Sequence, residues 1–393
     1  MASVWFYFQV HRPNRLRRYS VFDSGSNYFD DHRNRLILDR VASKCYIPAT
    51  QLMLDLVKQH EGQFKLAYSL TGVVLEQLKD HHPKVIELLQ QLAATGCCEF
   101  LSETYHHSLA FLYSRDEFKA HIAMHTKPVQ DLFGQTPRVF RNTELIYNNE
   151  LAQFVASLGG YHGVIAEGAD HILGSRTPNH LYRPPNAGAV KLLLKNYKLS
   201  DDIAFRFSNR EWEGWPLTAD KFARSVSAIN GNGFVCNIFV DYETFGEHQW
   251  AETGVFEFLK ALPAEVLKAG DEFKTPSECV EKFSPVDEYD VPHMISWADT
   301  ERDLSAWLGN AMQSNALHEL YKLERPVKDA GDAALLRDWR SLTTSDHFYY
   351  MCTKYFADGD VHKYFNPYES PYDSYINFMN VLDNLRSRVE AKA

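Results

Sequence analysis

The sequence predicts an α/β protein in which a barrel of parallel strands is followed by a bundle of helices. Three observations support this fold class. Short apolar runs alternate with helical patterns through about the first 300 residues, which is typical of parallel strands joined by crossover helices. Beyond that point only helical patterns occur. The chain of 393 residues, 45% of them hydrophobic, is also long enough to bury a large core.

Seven runs have the length and composition of strands, and this number suits a barrel better than a small open sheet. They cover residues 4–10, 64–70, 98–101, 138–141, 163–166, 190–194 and 234–240. The intervening segments have helical periodicity, most clearly at 49–60, 83–95 and 116–133. Two segments, 199–217 and 265–292, show no clear period and are expected to be long loops, which in barrels often carry site residues.

The last quarter of the chain has the pattern of a helical bundle. Helical periodicity extends from 299 to 323, from 330 to 356 and from 372 to 389, with a break at the Pro326 region. We therefore expect two domains, a barrel over residues 1–300 and a helical domain over residues 301–393.

Charge and composition exclude several classes of protein. With 41 basic and 51 acidic residues the net charge is -10, which gives no support for binding nucleic acid or an anionic membrane. No apolar run is long enough for a membrane span, and the apolar start precedes a basic cluster, the reverse of a secretory signal. The six cysteines are few and lie mostly in apolar runs, as expected for reduced core thiols of a cytoplasmic protein.

Polar residues directly follow several predicted strands. In a β/α barrel the active site lies at the carboxyl ends of the strands, so these residues are expected to meet. They are His11, Glu99, Glu103, Glu144, Asp241 and Glu243. Several carboxylates at one mouth repel each other, a cost that function explains best.

A pair of carboxyl groups can break a glycosidic bond. One donates a proton to the leaving oxygen, and the other stabilises the charge at the anomeric carbon. Taken alone, a residue such as Glu144 or Asp241 is more often a surface carboxylate or a helix cap than a catalytic group. Their positions at strand ends of a barrel favour the catalytic interpretation.

Five motifs in order along the chain resemble those of glycoside hydrolase family 57, in particular its α-amylase-like branch. They are FQVHRP at 8–13, GCCEFL at 96–101, FRNTELIYNNEL at 140–151, DYETFG at 241–246 and TSDHFYYM at 344–351. The first motif departs from the family pattern, because Arg12 occupies a position where Gln is common. The third and fourth motifs are the specific ones.

The resemblance implies an incomplete (β/α)7 barrel followed by a helical bundle that contributes to the cleft. It also implies a retaining enzyme that acts on α-glucans such as starch, glycogen or maltooligosaccharides and needs no cofactor. Glu144 is then the nucleophile and Asp241 the general acid/base. The substrate contacts implied by the family are His11, Glu99, Glu243, Trp297, Asp346 and His347.

Hydrolysis of α-1,4 bonds is the reaction that the motifs favour, and three alternatives stay open. The same site would serve a 4-α-glucanotransferase, and a non-catalytic α-glucan-binding protein would use the same cleft. A metal-dependent deacetylase on a related barrel would use histidines such as His106, His107 and His125 together with Glu103. Their spacing is not that of usual metal ligands, so no catalytic metal is expected. A structural calcium ion and the oligomeric state are left open by the sequence.

Overall fold

The computed structural model describes residues 1–354 and 366–392. Its strands, numbered in chain order, are β1 Ser3–Val10, β2 Leu66–Leu70, β3 Cys98–Phe100, β4 Val139–Arg141, β5 Gly163–Glu167, β6 Leu181–Arg183, β7 Lys191–Lys195, β8 Val235–Asp241, β9 Glu272–Phe273 and β10 Asp287–Glu288. Each of the seven predicted strands is present. The extra strands β6, β9 and β10 have two or three residues each, too few to produce a readable pattern.

The strands form two sheets that meet at both edges. One has the order β3-β2-β1-β8, with β9 also paired to β1, and the other has the order β10-β6-β7-β5-β4. All pairings are parallel except that of β6 with β7. Beyond β3, Ser102 bonds to Val139 and Arg141 of β4, and beyond β7, Asn196 N donates to Asn237 O of β8 at 2.9 Å. Seven parallel strands therefore surround a common interior, and the predicted barrel is confirmed.

Helices cover the barrel and make up most of the described part of the chain after it. In chain order they are α1 Asp31–Val41, α2 Ile47–Gln59, α3 Gly72–His81, α4 Pro83–Ala94, α5 Ala110–Tyr113, α6 Arg115–Phe133, α7 Asn149–Leu158, α8 Asp170–Leu173, α9 Tyr197–Ala204, α10 Ala219–Ser227, α11 Val255–Lys268, α12 Pro276–Lys282, α13 Ser305–Leu308, α14 Ala311–Lys322, α15 Glu324–Asp329, α16 Ala333–Leu342, α17 Ser345–Tyr349 and α18 Pro371–Glu390.

The two segments predicted to be loops are partly helical, so that prediction was wrong in part. The first contains most of α9, and the second contains the end of α11 and all of α12. Helix α12 has only seven residues and begins with a capping box between Thr275 and Glu278. A helix this short completes barely two turns, and its pattern is therefore hard to separate from that of a loop.

The strand residues alternate between two separate cores, as the pleat of a strand requires. Trp5 and Tyr7 of β1 lie in the barrel interior with Phe239 of β8. Phe6 and Phe8 lie on the opposite face and pack in the core between the barrel and its helices. Because both faces are covered, these strands read as continuous apolar runs in the sequence.

The C-terminal helices have a core of their own. It contains Trp307, Trp339 and Phe378, and it also includes Tyr19 and Tyr28 from the beginning of the chain. Residues from the beginning of the chain therefore pack in the same core as the helices of the predicted domain over residues 301–393. The predicted end of one helical stretch at Phe356 lies outside the described residues.

None of the helices within residues 1–354 and 366–392 combines the length and apolarity needed to cross a membrane. All six cysteines belong to this described part of the chain, and each is a buried free thiol.

Candidate active site

A cavity of about 600 Å³ opens at the carboxyl ends of the strands. Both predicted catalytic carboxylates line it, together with four of the predicted substrate contacts: His11, Glu243, Trp297 and Asp346. Segments from the barrel and from the C-terminal helices therefore share one cavity. Because this cavity lies at the strand ends of a barrel, it is the candidate site of chemistry.

Glu144 lies in a single turn that directly follows β4. Its backbone has φ 56° and ψ 26°, in the left-handed region that costs energy for a residue with a side chain. One carboxylate oxygen accepts from His107 Nε2 at 2.8 Å and the other from Trp297 Nε1 at 2.7 Å. The turn therefore presents a carboxylate that two donors hold in one orientation.

Glu144 is held in its charged form. Burial would raise the pKa of this carboxyl group, but the hydrogen bond and charge of His107, the charge of Arg141 and the bond from Trp297 outweigh it and lower the pKa. The side chain is still 22% exposed, so a ligand in the cavity could reach it. A charged, oriented and accessible carboxylate has the properties of a nucleophile.

Asp241 is the last residue of β8 and lies beside Gln9 of β1 in the strand register. Burial, then the charges of Glu243 and Glu144, raise the pKa of Asp241 to about 7. The two carboxyl groups are thus driven to different protonation states near neutral pH. This is the arrangement that separates a proton donor from a nucleophile.

His107, which the sequence offered only as a metal ligand of the deacetylase alternative, lies directly against Glu144. Its ring lies between two carboxylates, with Nε2 donating to Glu144 and Nδ1 donating to Glu103 Oε2 at 3.5 Å. Burial would lower the pKa of His107, but these two hydrogen bonds raise it to about 9. As an imidazolium it donates from both nitrogens, so the approach of Arg141 to Nδ1 at 3.4 Å is a contact between cations and not a hydrogen bond.

His11 joins the barrel to the helical domain. Its Nε2 donates to Asp346 Oδ2 at 3.0 Å and its Nδ1 accepts from the Thr71 hydroxyl at 2.9 Å. Burial and the neighbouring charge of His107 lower the pKa of His11, so the ring is neutral and these bonds fix its tautomer. It stacks on His107 with 4.1 Å between ring centroids.

Arg12, which departs from the family motif, holds Glu243. Its Nη2 lies 2.7 Å from Glu243 Oε1, and Tyr46 donates its hydroxyl to the same oxygen. A buried arginine that pairs with a buried carboxylate offsets the cost of removing both charges from water. The departure therefore places a buried cation directly beside Glu243.

Glu99, which the sequence predicted to contact substrate, is not among the residues that line the cavity. It lies within β3, and its carboxylate accepts from the Ser277 backbone at 2.9 Å and the Ser277 hydroxyl at 2.6 Å. Inner-facing residues alternate along a strand, so Glu99, Leu101 and Glu103 follow each other up the interior. Leu101 is part of the interior core, and Glu103 is the carboxylate that reaches the site through His107.

His347 also points away from the cavity, in contrast to Asp346 beside it. Its Nε2 lies 3.3 Å from the Ser341 carbonyl oxygen and its ring packs against Phe378. Successive side chains on a helix diverge by about 100°, since one turn takes about 3.6 residues. Only one of these two neighbours can therefore face the barrel, and the motif alone does not say which.

Trp297 is held in place by cations that the sequence prediction did not include. Arg141 and Lys195 lie over its ring at 5.4 and 5.2 Å from the centroid, which is within the range of cation–π attraction. Arg302 donates to the Trp297 carbonyl oxygen at 2.5 Å. These contacts fix the orientation of the indole, so that its N–H points to Glu144 and its ring lies along the cavity wall.

The histidines that the sequence offered as metal ligands diverge. His107 faces Glu144, whereas the ring of His106 lies near that of His121, with 5.1 Å between the centroids. Within residues 1–354 and 366–392, no group of three or more His, Cys, Asp or Glu side chains could hold a metal ion.

Comparisons with known proteins agree on one family. The sequence model of glycosyl hydrolase family 57 matches residues 5–292. A protein of Methanocaldococcus jannaschii that is provisionally named an alpha-amylase is 42% identical over 395 residues, which cover 96% of this chain and 83% of that protein.

Two solved structures share the fold at 15% identity. A family 57 branching enzyme of Pyrococcus horikoshii has a TM-score of 0.70, covering 98% of this chain and 88% of its own. The 4-alpha-glucanotransferase of Thermococcus litoralis has a TM-score of 0.66 over 88% of this chain, which spans only 56% of that enzyme.

Proposed function

Because the chain belongs to glycosyl hydrolase family 57, we propose that it is a retaining enzyme that hydrolyses α-1,4 bonds of starch, glycogen or maltooligosaccharides. One observation carries the proposal. The cavity contains a carboxylate kept charged, Glu144, and a carboxyl group whose pKa is raised to about 7, Asp241. Retaining glycoside hydrolysis needs such a pair.

The proposed reaction has two displacements. Asp241 donates its proton to the leaving glucosyl oxygen while Glu144 attacks the anomeric carbon and forms a β-linked glucosyl ester. Asp241, now deprotonated, then takes a proton from water, whose oxygen attacks the same carbon and releases Glu144. The overall result is cleavage with the α configuration retained.

The remaining cavity residues support binding of a sugar chain. Trp297 and Phe205 offer aromatic faces along the wall, and Phe205 is 47% exposed. Flat apolar rings pack against the C–H faces of sugars, while charged groups such as Asp346 accept hydrogen bonds from hydroxyl groups. We propose an α-glucan as the substrate and, from the six reduced thiols, the cytoplasm as the compartment.

Transfer to a second sugar is the competing proposal, because structures that share this fold include a glucanotransferase and a branching enzyme. The glucosyl ester is the same in both reactions, and the acceptor decides the product. Incubation with maltoheptaose separates them: hydrolysis yields shorter sugars alone, whereas transfer also yields longer ones. Proton NMR of the first reducing ends should show the α-anomer, and an initial β-anomer would contradict a retaining reaction.

Chelation is expected to leave the activity intact, since the proposed chemistry is assigned to carboxyl groups alone. The measurement is the rate of release of reducing ends from soluble starch before and after treatment with EDTA. Complete loss of activity that zinc restores would favour the metal-dependent alternative instead.

A further inference from the structure

The loop between β3 and α5 is anchored to the helical domain directly at its two histidines. Ser345 N donates to the His107 carbonyl oxygen at 2.9 Å, and Thr344 Oγ1 donates to the His106 carbonyl oxygen at 2.9 Å. Ser108 forms a β-bridge with Thr344. These bonds accompany a left-handed backbone conformation of His107, φ 53°, which is uncommon for residues other than glycine.

The side chain of His107 connects this anchor to Glu144. It is 2% exposed, and it lies between a fully buried Glu103 and the accessible Glu144. The charged or titratable groups that face His107 or Glu144 come from five elements: Glu103, Arg141, Asp241, His11 and Asp346. Among these groups, none lies between the carboxylates of Glu103 and Glu144 as His107 does.

We propose that His107 is a positioning residue, through which the helical domain holds the nucleophile charged and aimed at the cavity. The proposal rests on the proposed role of Glu144. It assigns a function to the second domain beyond lining the cavity, because Thr344 and Ser345 set the backbone that places the imidazolium.

The physical consequence is a specific change in pH dependence. Burial raises the pKa of Glu144, and His107 opposes this effect. Without the charge and hydrogen bond of His107, the pKa of Glu144 rises. The charged form is the active one, so the acidic limb of the rate profile moves to higher pH. The basic limb stays, because burial, Glu243 and Glu144 set the pKa of Asp241.

The first test compares His107→Gln with His106→Gln. Gln keeps a hydrogen-bond donor but carries no charge, so we expect kcat to fall about 10- to 100-fold, the effect of losing a charge-assisted bond. The acidic limb of kcat/KM should move to higher pH. His106→Gln is the matched control, because His106 lies in the same loop but its ring faces His121 of α6 and not Glu144. The acidic limb of His106→Gln should stay where it is in the wild type.

A second pair of variants keeps the test independent of how well His107→Gln folds. Thr344→Val removes the hydroxyl that donates to the His106 carbonyl oxygen of the loop. Thr343→Val removes a hydroxyl that donates to the Arg340 carbonyl oxygen at the end of α16. We expect the first to lower kcat about 3- to 10-fold with an upward movement of the acidic limb. Thr343→Val should leave both kcat and the acidic limb unchanged.

An unmoved acidic limb in His107→Gln, or in Thr344→Val if His107→Gln does not fold, would overturn the proposal. So would equal movements in a variant and its matched control, since that would indicate general loosening of the fold. Failure of the proposed function is a separate outcome: the wild-type protein would then release no sugars from maltoheptaose at any pH.

Discussion

Replacement of Glu144 by Gln is expected to abolish turnover of maltoheptaose while leaving the fold and substrate binding intact. The amide has the shape of the carboxylate and can still accept from Trp297, but it cannot attack the anomeric carbon or stabilise positive charge there. Loss of a nucleophile costs about 10⁴-fold or more in kcat. The measurements are the rate of sugar release, the calorimetric affinity for maltoheptaose and the thermal unfolding temperature.

Glu150→Gln is the matched control for this experiment. Glu150 lies six positions further along the chain, and its side chain is 61% exposed in an ion pair with Arg115. An exposed pair contributes little to stability, and this one lies outside the cavity lining, so activity should stay near that of the wild type. If Glu144→Gln kept activity within about tenfold of wild type, Glu144 would lose the role of nucleophile.

Replacement of Asp241 by Asn is expected to have the second-largest effect, and its size should depend on the leaving group. A glucosyl oxygen needs a proton to depart, whereas an activated aryloxide departs without one. We therefore expect a loss of about 10²- to 10⁴-fold on maltooligosaccharides and a far smaller loss on activated aryl glucosides. Equal losses on both substrates would contradict the role of proton donor.

The same variant tests the pH dependence. In the proposed mechanism the protonated form of Asp241 is the active one, and its pKa is raised to about 7, so kcat/KM should fall as the pH rises through about 7. The acidic limb belongs to Glu144, whose pKa is lowered. In Asp241→Asn the basic limb should disappear. A basic limb that persists at the same pH would assign it to another group.

Some site residues could be predicted because their signal is local. The barrel strands are continuous apolar runs since both faces are buried, and Glu144 and Asp241 directly follow such runs. Glu99 and His347 show what local signals leave open, because neither lines the cavity. Both belong to the motifs, yet the Glu99 carboxylate bonds to Ser277 and the ring of His347 packs against Phe378.

The fold class, the family and the two candidate carboxylates could be predicted from residues close together along the chain, because periodicity and motifs are properties of neighbouring residues. The surroundings of those carboxylates came from the folded structure. Residues far apart in the sequence, such as His11 and Asp346 or Glu144 and Trp297, form hydrogen bonds with each other. Two carboxylates stabilise the protonated form of His107. Which of the two candidate carboxyl groups is protonated follows from burial and from charges close in space, and these exist only once the chain has folded.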